Sequence, residues 1–217
     1  MKIAIDGPAG AGKSSIAKML AKELNFVYVD TGAMFRAIAL FFLNQNIDPG
    51  NEQAVKERID EIQIRLGYED GEQKIFLNGE DVSGVIRREE VGKNASTVAK
   101  NQAVRTKLLD LQREIANDGD VIMDGRDIGT VVLPDAEVKI YLTASVEVRA
   151  KRRYKELEAK GEHCVLSDIE KDIEARDEQD MNRKISPLKK ADDAVLVDTS
   201  DMTIAEVVKK IREIAKK

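Results

Sequence analysis

Residues Gly7-Pro8-Ala9-Gly10-Ala11-Gly12-Lys13-Ser14-Ser15 carry the spacing G-x-x-x-x-G-K-[ST], which cradles polyphosphates. Its glycines let the backbone curl tightly, so that successive N–H groups turn inward as an anion nest. A helix starting near Lys13 adds the positive end of its dipole. Lys13 then reaches the β- and γ-phosphates of a nucleoside triphosphate, and the Ser14 hydroxyl suits Mg²⁺. Further along, Asp124 closes the apolar run Val121-Ile122-Met123 and opens Asp124-Gly125-Arg126-Asp127. An acid at a strand end after such a loop is where Mg²⁺ is helped into place, although ending a strand in Asp is also ordinary turn chemistry. Arg149, Arg152 and Arg153 fall at i, i+3 and i+4, and crowd one side of a helix. That crowding favours a facing polyanion, against the alternative of a solvated basic face neutralised by nearby Glu. Arg176, Asp180 and Arg183 fall at i, i+4 and i+7 and share a helical face. Arg36 sits just past a strand end, where open α/β sheets bind ligands.

Elements of the right kind flank these residues. Lys2-Ile3-Ala4-Ile5-Asp6 is a buried-strand run ending at the loop, and Ile16, Met19, Leu20 and Leu24 follow at helical spacing. Phe26–Val29 is a second strand ending in Asp30-Thr31-Gly32, with a helix from about Ala33 to Gln45. A short helix covers about 52–61. Ile62, Ile64, Leu66, Tyr68, Ile75 and Leu77 then alternate with polar residues, Glu69-Asp70-Gly71-Glu72 reads as a turn, and Asn78-Gly79 is a hairpin signal. Residues 62–83 therefore form a small antiparallel unit with one wet face. Helices return at about 88–99 and 102–117, the second capped by Asn101. Strands at 121–123, 138–142 and 194–198 alternate with helices at about 145–160, one opened by a Ser167/Glu170 capping box, and one opened by a Thr203/Glu206 box.

Strands separated by helices imply a parallel sheet with crossovers. The expected fold is α/β: a P-loop NTPase core with a five-stranded parallel sheet and helices on both faces, a small antiparallel β insertion and a helical lid. The core takes about 1–45, 84–144 and 184–217. The insertion takes about 46–83, extending into 84–100, and the Arg-rich lid about 145–183.

Composition narrows the function. The chain has 217 residues and a net charge of −5, which argues against general nucleic-acid or anionic-membrane binding. It has no Trp, so an aromatic platform for single strands is not expected. The single Cys164 rules out an internal disulfide and fits a cytoplasmic setting. With His163 the only His, no spaced zinc set exists. No apolar run has the length to span a bilayer.

Two classes of P-loop protein compete. A GTP-dependent switch needs a base-reading N-K-x-D element, which is absent. Asp81-Val82-Ser83-Gly84 matches D-x-x-G, but it lies in the inserted β unit. A small-molecule kinase needs several arginines and a mobile lid, because phosphoryl transfer between small anions rests on positioning and charge neutralisation. The residues alone leave open which acceptor it would serve.

Taken together, Gly7–Ser15, Asp30-Thr31-Gly32-Ala33-Met34-Phe35-Arg36, Gly125-Arg126-Asp127-Ile128-Gly129-Thr130 and Arg176–Arg183 closely resemble bacterial-type cytidylate kinases, from Lys2 to the last helix. The resemblance implies direct in-line transfer of the γ-phosphate of ATP, with Mg²⁺, to CMP or dCMP. Kinases for UMP or AMP are the alternatives. It implies that Arg36, Arg126 and Arg183 grip the CMP phosphate, and that Ser96, Arg105 and Asp127 read cytosine. Arg176 and Asp180 would contact the sugar, with Thr31 among the substrate-binding residues. Lys13, Arg149 and Arg153 would neutralise the transferring group, with Arg126 and Arg183 also counted as catalytic. Ser14 and Asp124 are the implied Mg²⁺ residues. It implies a monomer with small-molecule substrates, no nucleic acid and no membrane partner. Phe35 stands where relatives often have Tyr, so any hydrogen bond from that ring is missing.

Overall fold

The computed structural model describes residues 1–69 and 72–216. In chain order the elements are β1 (Lys2–Asp6), α1 (Lys13–Leu24), β2 (Val27–Asp30), α2 (Thr31–Asn44), α3 (Glu52–Arg58), β3 (Ile64–Glu69), β4 (Glu72–Leu77), β5 (Glu80–Asp81), α4 (Glu89–Val98), α5 (Gln102–Asn117), β6 (Val121–Gly125), β7 (Val138–Thr143), α6 (Val146–Ala159), α7 (Leu166–Asn182), β8 (Val195–Asp198) and α8 (Ile204–Ala215). The five-stranded sheet has the order β2-β6-β1-β7-β8. The pairs β1–β6, β1–β7 and β7–β8 are all parallel. Among the described residues no helix is long and apolar enough to cross a membrane. The chain divides into two units, residues 1–27 with 120–217, and residues 28–119.

In the first unit β1 is the central strand. Ile3, Ala4 and Ile5 are wholly buried, as expected where both sheet faces are covered, and this is why the strand reads as a continuous apolar run. The register sets Ile5 opposite Asp124 and Asp6 opposite Gly125. The phosphate-loop sequence and the Asp124–Asp127 segment therefore leave the sheet at the same end. Helix α1 buries Ile16, Ala17, Leu20 and Ala21. Helix α8 is opened by the expected reciprocal cap, in which Thr203 and Glu206 bond each other's backbone.

Helices α6 and α7 pack through Ala150, Leu157, Ile169 and Ile173, with Cys164 and Leu166 against the same cluster. Burying each larger aliphatic here is worth about 1.5–3 kcal/mol. That packing explains a departure from the sequence reading. Leu166 is drawn into the helix, Val165 becomes the N-cap, and no side-chain cap forms. The Ser167/Glu170 box is consequently not made, since Ser167 lies inside the first turn.

The second unit holds the antiparallel sheet β3-β4-β5. Its β4–β5 hairpin turns on Asn78 and Gly79, both with positive φ (49° and 92°), the backbone that Asn-Gly favours. The expected turn at Glu69-Asp70-Gly71-Glu72 centres on residues 70 and 71, which lie outside the described residues. Helix α2 starts at Thr31, two residues before the expected position, because the Asp30 carboxylate accepts from Ala33 N–H at 3.0 Å and caps it there. Asn101 caps α5 as its sequence suggests, accepting from the N–H groups of Ala103 and Val104.

Candidate active site

The phosphate-loop side of the candidate site is built at the C-terminal end of β1. Gly7 has φ +151°, and a Cβ there would lie 1.9 Å from the Leu142 carbonyl oxygen of β7. Only glycine lets the loop leave the strand against that neighbour. Gly12 caps α1 and brings no side-chain acceptor, so the first-turn N–H groups are left to an anion. Lys13 is buried, and its ammonium donates to the Pro8 carbonyl at 2.8 Å. Burial, then the charge of Arg126, push Lys13 down to about 7, against the pull of Asp124, Asp6 and Asp180. The Ser14 hydroxyl donates to Asp124 Oδ2 at 2.9 Å, and Asp124 is buried. Ser14 and Asp124, far apart in sequence, thus supply two adjacent hard oxygen donors. Among the described residues no group of three or more His, Cys, Asp or Glu could hold a metal ion.

Sequence reasoning passed over Asp6. Its two carboxylate oxygens accept from the backbone N–H groups of Ile128 (2.8 Å) and Gly129 (2.7 Å). These groups open a wide turn over Ile128–Val132, so Asp6 anchors the segment that carries Arg126 and Asp127. An acid ending the strand before a glycine loop was the available signal.

Burial raises Asp6 from 3.8 to about 6, although both N–H bonds favour its ionised form; Asp127 adds to the rise and Lys13 opposes it. The folded protein therefore holds this proton more tightly than the unfolded chain. The resulting stability is fully present below pH 3.8 and is lost as pH rises through about 6. At about 1.4 kcal/mol per pH unit, the loss is about 3 kcal/mol. Urea unfolding of ligand-free protein at pH 4 and pH 7 should show this extra loss relative to Asp6→Asn. Parallel pH dependence in the two proteins would show that Asp6 is ionised throughout.

A second cluster in the same unit gathers Arg126, Asp127, Asp180 and Arg183. Arg126 Nε donates to Asp180 Oδ2 at 2.8 Å. Arg183 lies 3.6 Å from Asp180 and 3.5 Å from Asp127. Burial pushes Asp180 up, but Arg126, Arg183 and Arg176 outweigh it and hold the carboxyl below its ordinary value. Arg183 has left the helix, since α7 ends at Asn182 and Arg183 is extended; its Nε donates to the Ser186 carbonyl at 2.6 Å. The expected single helical face of Arg176, Asp180 and Arg183 is thus replaced by a helix-plus-turn arrangement that still joins Asp180 to Arg183.

The arginines of α6 do not form one open face. Arg149 is buried and donates to the carbonyls of Ala144 (2.9 Å) and Ala9 (3.0 Å). Arg152 donates to the Thr199 hydroxyl and carbonyl. Arg153 is half-buried and loosely paired with Glu156 at 3.4 Å. Each side chain follows its nearest acceptor, which spacing alone does not reveal.

In the second unit Arg36 donates to the Ile86 carbonyl at 3.1 Å. It lies against Gly92 of α4, where a Cβ would be 2.9 Å from Arg36 Nη1. The same helix carries Ser96. Arg105 is buried and donates to the Ala99 carbonyl at 2.6 Å. Its guanidinium lies 5.4 Å from the centre of the Phe35 ring, within cation–π range. Phe35 thus supports an arginine where a hydroxyl was expected to be missed. Thr31 is buried at the start of α2.

The sequence profile described as "Cytidylate kinase" matches residues 3–217. A cytidylate kinase of Lactobacillus johnsonii is 56% identical over 217 residues, covering 100% of this chain and 94% of the relative. One from Lactobacillus gasseri is 54% identical with the same coverage. Among solved structures, shikimate kinase from Bacteroides thetaiotaomicron superposes with a TM-score of 0.51 at 12% identity, covering 100% of this chain and 99% of that one; that likeness speaks for the fold alone. A phosphate loop at the end of a central parallel strand, Arg126 and Asp127 leaving the same sheet end, and full-length matches to both profile and relatives agree: the chain belongs to the cytidylate kinase family.

Proposed function

We propose that the protein transfers the γ-phosphate of ATP to CMP or dCMP, giving CDP or dCDP. Beyond family membership, the observation that carries this reading is that Arg126 and Asp127, which leave the same sheet end as the phosphate loop, are paired there with Asp180 and Arg183 from the end of α7. Carboxylates hold these two guanidiniums in place before any nucleotide arrives, so little ordering remains when an anion binds.

In this reading Gly7–Ser15 holds the ATP phosphates through backbone N–H groups and Lys13. Arg36, Arg126 and Arg183 take the CMP phosphate, Arg176 and Asp180 the sugar, and Thr31 lines the acceptor region. Ser14 and Asp124 are hard oxygen donors that would hold Mg²⁺. The ion would supply charge neutralisation on the phosphates. Arg153 has the freedom to reach the transferring group, and Arg149 serves it from its place on the loop. No general base is required, because the nucleophile is already an anionic phosphate oxygen.

Specificity follows from donor and acceptor patterns. Cytosine offers an N4 amino donor with acceptors at N3 and O2. Asp127 accepts from N4, and Ser96 and Arg105 donate to the ring acceptors, the logic by which acids read cytosine elsewhere. Uracil reverses the pattern at positions 3 and 4 and leaves the carboxylate facing a carbonyl oxygen. That mismatch costs about 1–3 kcal/mol per orphaned group. Asp127→Ala is accordingly expected to lower kcat/KM for CMP by about 100-fold, with a far smaller effect on UMP. Equal losses on both would remove Asp127 from base reading. The reading as a whole is tested by ADP release from ATP or GTP with CMP, dCMP, UMP, AMP or no acceptor. Turnover that requires CMP or dCMP supports it. Acceptor-independent GTP hydrolysis, or preference for another monophosphate, overturns it.

A further inference from the structure

Asp177 has no place in the chemistry described so far. Its Oδ2 lies 2.7 Å from Arg149 Nη2, and the two side chains are only 11% and 4% exposed. Its Oδ1 is buried with no hydrogen-bond partner among the described residues. A half-satisfied buried carboxylate is a costly way to hold two helices together, so helix packing alone does not account for it.

The remaining contacts of Arg149 show what the pair connects. Nη1 donates to Ala9 within the phosphate loop and Nε to Ala144 at the end of β7. The side chain lies on Gly10, where an added Cβ would sit 3.3 Å from Arg149 Cβ. Through Arg149, Asp177 therefore ties α7 to the donor loop. Three residues on, and so adjacent on the helix, Asp180 ties α7 to Arg126 and Arg183. One helix thus holds the donor loop by one carboxylate and the acceptor-side arginines by the other.

We propose that Asp177 is a positioning residue that couples the phosphate loop to the acceptor grip, so that the donor loop is set for transfer only with α7 seated on both. This rests on the donor and acceptor roles proposed above. Without the link, the loop adopts its reactive state with no acceptor in place, and water competes for the phosphoryl group.

The test compares the unaltered protein with Asp177→Asn, which keeps shape and removes charge, and Arg149→Lys, which keeps charge and removes the fork. ADP release and CDP formation are measured together, with and without CMP. Asp177→Asn should lower kcat for CDP formation about tenfold and raise ADP released per CDP about threefold or more, with KM for CMP within about twofold. The double variant should be no worse than Arg149→Lys alone, since both changes break one link. An unchanged ADP-to-CDP ratio in Asp177→Asn overturns the proposal, even if its Tm falls, because a purely structural role would do that. Should Asp177→Asn not fold, an unchanged ratio in Arg149→Lys has the same force. Multiplying effects in the double variant also overturn it. Failure of the kinase reading itself would look different: the unaltered protein would form no CDP.

Discussion

Lys13→Met is expected to lower CDP formation by about 10²–10³-fold or more while making the ligand-free protein more stable. The first effect follows from removing the only side-chain cation of the phosphate loop. The second follows from what that cation endures without phosphate. Lys13 is buried beside Arg126, and both push its pKa down from 10.5. A lysine whose folded pKa is lowered binds its proton less tightly than the unfolded chain does. Its penalty is therefore full at low pH and relaxes as pH rises from about 7 to 10.5. Methionine fills similar space without the charge. Allowing for the lost bond to Pro8, worth about 1 kcal/mol, a net gain of about 1–2 kcal/mol at pH 7 is expected. Thermal unfolding should show a higher Tm for the variant without nucleotide, and the advantage should shrink toward pH 10. A variant that turns over normally would sink the donor assignment; one that melts lower at pH 7 would show that Lys13 is not strained in the free protein.

Asp180→Ala should be the most destabilising substitution in the cluster of Arg126, Asp127, Asp180 and Arg183, at about 3–5 kcal/mol. It strips Arg126 and the nearly buried Arg183 of a shared carboxylate. Two mutually repelling guanidiniums would then relax apart, and kcat/KM for CMP should fall by about 100-fold or more. Asp180→Asn should recover much of the stability and little of the activity, because an amide oxygen accepts the bond without offsetting the charge. The pH dependence carries a matching signature. Asp180 is held below its ordinary 3.8, so its contribution is present above that value and is lost as pH falls through the depressed one. Denaturant unfolding of the three proteins between pH 3 and pH 7 measures this directly. If Asp180→Ala unfolds at the same denaturant concentration as the unaltered protein, the cluster is not held by that carboxylate.

The order of strands and helices was legible because both periodicities are clean in this chain. Ile3, Ala4 and Ile5 read as buried and are buried, and Asn78-Gly79 read as a hairpin and is one. Boundaries moved where one tertiary contact outbid a local signal, as Leu166 did over the Ser167 cap. The phosphate loop could be read whole, since its chemistry is contiguous. The arginines could be found but not aimed. Arg149, Arg152 and Arg153 look equivalent along a helix, yet one reaches the phosphate loop, one the Thr199 backbone and one Glu156 on its own helix. Asp6 and Asp177 escaped notice because each works by holding something else, and such a role leaves no spacing pattern.

The parallel pairing of β1 also has a consequence for how the chain comes off the ribosome. Both neighbours of β1, beginning at Val121 and Val138, are made more than a hundred residues after it. At about 5–20 residues per second, the phosphate-loop strand waits about 6–25 s for its first partner. Through that interval its apolar Ile3-Ala4-Ile5 run has two open edges, the state in which a strand is most exposed to pairing with another chain. The residue that arrives opposite Ile5 to end the wait is Asp124, the partner of Ser14. The pairing that closes the sheet is therefore the same one that brings Asp124 to Ser14 beside the phosphate loop, and a nascent chain gains both together.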